Sequence, residues 1–135
     1  MIKLSKEKPY EDACKILGLR PVANYKSYKL TDETRNFIKL ETVAKALNEG
    51  WKPTTIDPKE VRYYVWGWNY TDNRKHAGLL HVASNDGLGY AVATVGTSLE
   101  FKDRDTAKEF ARMCKPMIVK YLFGRDDHEN FKFDF

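Results

Sequence analysis

The first third of the chain has apolar residues at the spacing of amphipathic helices. A short helix is predicted over residues 10–17, because four apolar residues follow the helical period and Gly18 then favours a stop. A longer helix is predicted to begin with Thr31 or Asp32 as its N-cap and to run to Glu49, followed by a glycine suited to the left-handed conformation. The apolar positions of the two helices are Tyr10, Ala13, Cys14, Leu17, Phe37, Leu40, Val43, Ala44 and Leu47.

After the second helix the pattern changes to a strand-like period. Strands are predicted at residues 62–70, 78–84, 89–95 and 98–102, with links rich in turn-forming residues between them. Short links of this kind join antiparallel neighbours, whereas parallel strands need a long crossover. These segments therefore predict an antiparallel meander of about four strands.

The last helix has the clearest apolar stripe in the chain. Asp103 is a natural N-cap, Gly124 ends the stripe, and Pro116 predicts a kink or two shorter helices, because proline removes a backbone donor. Helices that precede and follow an antiparallel sheet without alternation define an α+β domain. We expect one such domain over residues 1–124, with two helices before the sheet, one long helix after it, and helices covering one sheet face. The stripe consists of Ala107, Phe110, Ala111, Cys114, Met117, Ile118, Tyr121 and Leu122.

The first predicted strand carries five large aromatic side chains within ten residues. Because side chains alternate between the faces of a strand, four of the aromatic residues share one face with Arg62. That face is either part of the sheet's core or a binding platform. We favour the core, because four aromatic residues on one face are more than a small exposed surface usually tolerates. The four residues are Tyr64, Trp66, Trp68 and Tyr70.

Four segments of the chain form a recognisable combination. They are residues 10–13 (Tyr-Glu-Asp-Ala), residues 45–53 (Lys-Ala-Leu-Asn-Glu-Gly-Trp-Lys-Pro), the aromatic strand, and residues 96–102 (Gly-Thr-Ser-Leu-Glu-Phe-Lys). Together they resemble a group of small uncharacterised proteins of phages and prophages of gut bacteria. Two threonines after Pro53 stand where Asp-Trp is common in that group, and the aromatic strand lacks the usual proline. The resemblance implies a phage setting, and it implies no activity and no functional residue.

Composition and cysteine usage place the chain among small intracellular domains. The chain has 135 residues, of which 42% are hydrophobic and 31% are charged, as expected for one domain with a large charged surface. No apolar run approaches the roughly 18 residues that span a bilayer, so we expect no membrane contact and a location in the cytoplasm, that of the host cell for a phage protein, or in the virion. Cys14 and Cys114 lie on apolar helix faces, which favours reduced core thiols over a disulfide or paired metal ligation.

No complete catalytic or metal-binding motif is present in the sequence. The histidines His76, His81 and His128 and the two cysteines lack the spacing of a metal site, so neither a metal nor a cofactor is expected. The sequence also has no nucleophile elbow, and enzyme function is not expected. An enzyme or small-molecule site would require a pocket with convergent polar groups, such as Arg62, His81 and Tyr90.

The last helix also carries a row of basic residues beside its apolar stripe. Arg104, Lys108, Arg112 and Lys115, here called the basic ridge, fall within an arc of about 80°. The ridge is either a solvated helix face or an electrostatic contact with phosphates or an acidic partner. The formal net charge of +4 includes residues 124–135, whose four carboxylates and two cations give −2, so the rest of the chain carries +6.

Residues 125–135 are predicted to be a C-terminal tail. Phe131, Phe133 and Phe135 alternate with polar residues, so an extended strand would present all three on one face. The tail is either a flexible end or a segment docked on its own domain or on a neighbouring subunit. We favour docking, with strand addition at a sheet edge as one form of it.

These features together predict a non-enzymatic α+β binding module, a phage accessory protein that acts by protein contact or by homo-oligomerisation. One alternative is a nucleic-acid-binding protein that stacks bases on the aromatic strand and holds phosphates with the basic ridge. Its platform would be lost if the aromatic face lay beneath the helices. Another alternative is a small-molecule-binding protein or enzyme with a pocket that the sequence does not reveal.

Overall fold

Three helices and a small mixed sheet make up the described part of the chain. The computed structural model describes residues 2–21, 30–52, 60–85 and 99–135. The elements, in chain order, are α1 (Pro9–Leu17), α2 (Asp32–Leu47), β1 (Arg62–Gly67), β2 (Leu79–Asn85), α3 (Arg104–Phe123), a 3₁₀ helix (His128–Asn130) and β3 (Lys132–Phe133). The predicted α+β class is confirmed, and two helices precede the sheet as predicted. The long helix α3 does not follow the whole sheet, because β3 comes after it in the chain.

The helix boundaries follow the local signals in the sequence. The α1 helix ends at Gly18, which has a left-handed φ of 69°. At the start of α2, the backbone N–H of Thr34 donates a hydrogen bond to Thr31 Oγ1 over 3.1 Å. That helix ends at Leu47, two residues earlier than predicted, and Gly50 beyond it has a φ of 89°. A left-handed φ strains residues that have a Cβ, which explains the glycine at both positions.

The α3 helix shows both the predicted cap and the predicted kink. The backbone N–H of Thr106 donates to Asp103 Oδ1 over 2.7 Å. A hydrogen bond from the Thr106 side chain is the main cause that lowers the pKa of Asp103, and the backbone hydrogen bond lowers it further. Cys114 has non-helical dihedral angles inside the helix, with φ −117° and ψ 19°, two residues before Pro116. Proline lacks the N–H of a helical hydrogen bond and its ring clashes with the carbonyl four residues earlier, which accounts for the kink.

The sheet has the strand order β1-β2-β3 and mixed pairing. The β1 and β2 strands pair antiparallel, with Val65 opposite Val82 and Trp66 opposite His81. The β3 strand pairs parallel with β2, so that Leu80 is the partner of Phe133. Parallel neighbours require a crossover, and α3 lies in the connection between these two strands.

The four-stranded antiparallel meander is not what the described residues form. The predicted strand at residues 89–95 lies outside them. Of the predicted strand at residues 98–102, the described part makes an isolated bridge between Phe101 and Tyr63. The third strand comes instead from the C-terminal segment, which the sequence analysis treated as a tail.

The helices pack on the face of β1 that carries Val65. Val65 belongs to the main core cluster together with Leu40 from α2 and with Phe110 and Ile118 from α3. Trp66 lies on the opposite face, because neighbouring side chains of a strand point to opposite sides.

This arrangement corrects the prediction for the aromatic strand. A core position is predicted for Tyr64, Trp66, Trp68 and Tyr70, but all four are half-buried and none belongs to the core clusters. The alternation itself was right, and the helices cover the other face. The aromatic face therefore does not lie beneath the helices.

Both cysteines are free and buried, as predicted. Burial raises the pKa of the Cys114 thiol to about 12, because a thiolate is poorly solvated in an apolar core. None of the helices in the described ranges is long and apolar enough to cross a membrane.

The C-terminal segment docks on its own domain. Phe131 is fully buried, and its ring stacks on that of Phe123 with centroids 5.3 Å apart. Backbone hydrogen bonds join Lys132 N to Gly78 O over 2.8 Å and Asp134 N to Leu80 O over 3.1 Å. A Cβ on Gly78 would lie 2.5 Å from the carbonyl oxygen of Asn130, so the close approach of this segment to the sheet requires glycine there.

Candidate functional site

The C-terminal phenylalanines lie against the basic ridge. Lys108 Nζ is 5.6 Å from the centroid of the Phe135 ring, and Arg112 Cζ is 5.2 Å from the same centroid. Lys115 Nζ is 5.7 Å from the centroid of the Phe133 ring. These distances are those of cation–π contacts, which contribute about 0.5–1 kcal/mol each at exposed sites. The ridge and the tail, which are far apart in the sequence, form one surface.

We call this surface the ridge–tail surface and define it as the basic ridge together with Phe133 and Phe135. The two rings stack on each other with their centroids 4.9 Å apart. Phe131, the third phenylalanine of the predicted set, is instead buried in the second core cluster, where it anchors the segment. Two of the three predicted tail residues therefore line the surface, and the third, Phe131, is buried in the core next to it.

Arg104 is tied to the sheet at one end of the ridge. Its Nη1 donates to the carbonyl oxygen of Val82 over 2.7 Å, and its Cζ lies 5.1 Å from the centroid of the Tyr63 ring. Its side chain therefore holds α3 on the sheet while the residue stays exposed.

The ridge–tail surface is positively charged. Arg112 is 3.8 Å from the carboxylate of Glu109, and 47% of its side chain is exposed to solvent. Asp134, the carboxylate between the two phenylalanines in sequence, points to the other side of the β3 strand, where it contacts His81. Three cations of the ridge, Lys108, Arg112 and Lys115, thus face this pair of rings with few compensating carboxylates.

A cluster of aromatic and imidazole rings lies on the opposite face of the sheet. We call it the aromatic cluster and define it as Trp66, Trp68, Tyr70, His76 and His81. Trp68 is at its centre, with its ring centroid 5.4 Å from Trp66, 5.8 Å from Tyr70 and 5.5 Å from His76. The His76 ring stacks on Trp68 at an interplanar angle of 17°. His76 has a φ of 66°, a strained value for a residue with a Cβ.

Trp68, His81 and Asp134 form a chain of hydrogen bonds through the aromatic cluster. The indole Nε1–H can only donate, and it donates to His81 Nε2 over 3.0 Å. His81 Nδ1 is therefore the nitrogen that carries the proton in the neutral ring, and it donates to Asp134 Oδ2. An aspartate oriented toward Nδ1 is also found behind catalytic histidines, but there Nε2 is open to a substrate. Here Trp68 occupies Nε2.

Of the polar groups that a hidden pocket would need, the two that the structure describes, Arg62 and His81, do not converge. Arg62 is fully buried, with its Nη1 3.5 Å from Glu100 Oε1. The strand partner of His81 is Trp66, which lies four residues along β1 from Arg62. Desolvation raises the pKa of Glu100, and the attraction of the Arg62 guanidinium opposes that rise. Asn48 Nδ2 donates to the carbonyl oxygen of Glu100 over 3.0 Å, so this cluster joins α2 to β1. Tyr90, the third residue of the predicted set, lies outside the described residues.

An open apolar groove lies where α1 and α2 end. Its volume is about 520 Å³, and its apolar lining comes from Ile2, Ile16, Leu17, Ala46 and Trp51. Ile16 is 48% exposed. The groove has no signal in the sequence, because Ile16 and Trp51 are outside the apolar stripes and nothing in the sequence shows that they lie close together.

Metal-binding groups and similarity to other proteins give no further assignment. Within the described ranges, no group of three or more His, Cys, Asp or Glu side chains could hold a metal ion. Comparison with protein-family models, curated proteins and solved structures finds no match to this chain.

Proposed function

We propose that the protein is a non-enzymatic binding module that contacts an acidic surface of a partner protein through the ridge–tail surface. The observation that carries this proposal is the seating of Phe133 and Phe135 against Lys108, Arg112 and Lys115. The resemblance of four sequence segments to phage and prophage proteins supports a role as a phage accessory protein in the cytoplasm of the host cell.

The composition and rigidity of the ridge–tail surface support protein contact. Aromatic residues and arginine are enriched in protein interfaces, where they supply most of the binding energy. The β3 strand and the buried Phe131 ring hold the two phenylalanines in place, and those rings in turn position the cations. Because these side chains are already held in place, association through this surface would cost less conformational entropy than association through freely moving side chains. Its positive charge favours a partner surface rich in Asp and Glu.

Nucleic acid is the second candidate ligand, and one observation favours it. The aromatic face does not lie beneath the helices, so the platform required for base stacking remains on a half-buried face. Two contacts weigh against it. The ring of Trp68 is already stacked on His76, and the basic ridge lies on the helix side of the sheet, across β3 from the aromatic cluster. A single nucleic-acid strand would have to place its bases on one side of the sheet and its phosphates on the other.

A binding experiment with defined probes tests the proposal. Fluorescence anisotropy would be measured with a labelled peptide rich in glutamate and leucine, and separately with labelled single- and double-stranded oligonucleotides. The double variant Arg112→Glu, Lys115→Glu reverses half of the ridge. The variant Lys3→Glu, Lys6→Glu is the matched control, because it changes the net charge by the same amount at two exposed residues outside the ridge.

We expect the wild type and the control to bind the acidic peptide, and the ridge variant to bind it at least about tenfold more weakly, a loss of roughly 1.4 kcal/mol. Equal binding by both double variants, or no peptide binding by the wild type, would refute the proposal. Oligonucleotide binding with a log–log salt slope of about −3 to −4, reduced by about one in Lys115→Ala, would favour the nucleic-acid candidate instead.

A further inference from the structure

The C-terminal end of α1 leaves two large aliphatic side chains exposed beside the apolar groove. Ile16 and Leu19 are each 48% exposed, and Ile16 also forms part of the groove wall. The α1 helix buries its other side, including Ala13 and Cys14, against the core. Projecting aliphatic side chains next to an apolar recess favour a macromolecular partner, because one contact would then remove both the projections and the recess from water.

The charges around the groove select a partner of mixed charge. Two carboxylates, Glu41 and Glu49, and two cations, Lys45 and Lys52, line the groove, and all four residues are exposed. Their formal charges sum to zero, whereas the whole chain carries +4 and the ridge–tail surface is strongly positive. A copy of this chain would be repelled at the ridge, but it can approach the groove rim without net repulsion and can place opposite charges together there.

We propose that the groove and the end of α1 form a self-association surface, in which Ile16 and Leu19 of one copy enter the groove of a second copy. A two-fold contact uses the same patch on both copies, so each would supply the projecting side chains and the recess that receives them. The groove of about 520 Å³ has room for aliphatic side chains of this size. This contact is separate from the ridge–tail surface. The self-association proposal therefore does not depend on the proposed binding of an acidic partner.

The dimer is expected to be reversible and dependent on concentration. A stable protein interface buries about 1,200 Å² or more in total, which the groove reaches only if the contact extends along the outer side of α1. Sedimentation velocity over a concentration series would therefore be combined with native mass spectrometry, in which the monomer has a mass of 15.7 kDa.

Two variants and two controls isolate the surface. Ile16→Glu places a carboxylate in the groove wall, and Leu19→Glu places one beyond the end of α1, which guards against an effect on the helix itself. Val61→Glu is the matched control, because Val61 is an aliphatic residue with 46% exposure that does not line the groove. The ridge variant Arg112→Glu, Lys115→Glu is the second control. Thermal melting of each variant would establish that it is folded.

We expect a dimer of twice the monomer mass in the wild type and in both controls, and a dissociation constant raised at least about tenfold in both groove variants. A wild type that remains monomeric at every concentration would overturn the proposal. So would a dimer that survives both groove substitutions, a dimer lost in the ridge variant, or a monomer that retains a small molecule in native mass spectrometry.

Discussion

His81 on β2 and Asp134 at the end of β3 are hydrogen-bonded although they are 53 residues apart in the chain. The imidazole uses one nitrogen for Asp134 and the other for the indole of Trp68. The aromatic cluster on one side of the sheet is thereby connected to the C-terminal segment that carries Phe133 and Phe135 on the other side. The packing of the cluster and the position of the ridge–tail surface depend on the same short segment.

The Asp134→Asn substitution tests this connection. An asparagine that turns its carbonyl oxygen toward His81 Nδ1 still accepts a hydrogen bond but carries no charge, so we expect a loss of about 0.5–1.5 kcal/mol in the free energy of unfolding. Urea denaturation would measure it. Asp126→Asn serves as the control, because the side chain of Asp126 is 91% exposed and its ion pair with Lys120 is long, at 4.0 Å. Nitrogen-15 NMR of the wild type should show the His81 proton on Nδ1 in the neutral ring, and a proton on Nε2 instead would contradict the hydrogen-bond chain.

The C-terminal segment should contribute to stability mainly through Phe131. This ring is fully buried, so Phe131→Ala is expected to lower the free energy of unfolding by about 3–5 kcal/mol. Phe135→Ala should cost about 1 kcal/mol or less, because Phe135 is half-buried and its cation–π contacts lie at the protein surface. Denaturation midpoints of the two variants would be compared, provided that the free energy of unfolding has the same slope against denaturant concentration in both. Deletion of residues 129–135 should lower the melting temperature more than either substitution. Equal midpoints for the two substitutions would contradict the docking of this segment.

The two faces of β1 should respond differently to a polar substitution. Val65 lies in the core, so Val65→Asn removes an apolar side chain and buries an amide, with an expected cost of about 3–5 kcal/mol. Tyr64 lies half-buried on the other face, and Tyr64→Asn should cost roughly 1 kcal/mol. Chemical denaturation followed by circular dichroism would measure both costs. A larger loss at Tyr64 than at Val65 would mean that the helices cover the aromatic face after all.

The N-cap of α3 should give part of the stability a defined pH dependence. Hydrogen bonds from the side chain and from the backbone N–H of Thr106 lower the pKa of Asp103 from its ordinary value of 3.8, so the folded state favours the carboxylate. The stabilisation is present above that ordinary value and is lost as the pH falls through the lower pKa of the folded state. Asp103→Asn keeps a good cap without a charge and should lose this dependence, whereas Asp103→Ala should cost about 1 kcal/mol at neutral pH.

Urea denaturation of the three proteins at neutral and at acidic pH would measure the effect. The wild type and Asp103→Asn should differ less at low pH than at neutral pH, because protonated Asp103 resembles the amide. A difference that grows as the pH falls would contradict the lowered pKa.

Local signals in the sequence determined the helices. The side chains of Thr31 and Asp103 accept hydrogen bonds from residues three positions ahead, and a left-handed glycine follows both α1 and α3. Pro116 produces its kink through its own ring and its missing donor. These interactions span at most a few residues, so the order of amino acids is sufficient to predict them. The alternation of Phe131, Phe133 and Phe135 was likewise readable, since it follows from the geometry of any extended strand.

The tertiary structure alone decided which surfaces meet. The period of β1 defines two faces but not which face the helices cover, and the structure places Val65, not Trp66, in the core. The parallel pairing of β3 with β2, the contact of Phe135 with Arg112, and the groove between α1 and α2 all join residues far apart in the chain. Such contacts depend on the summed packing free energy of the whole domain, which no local pattern of residues encodes.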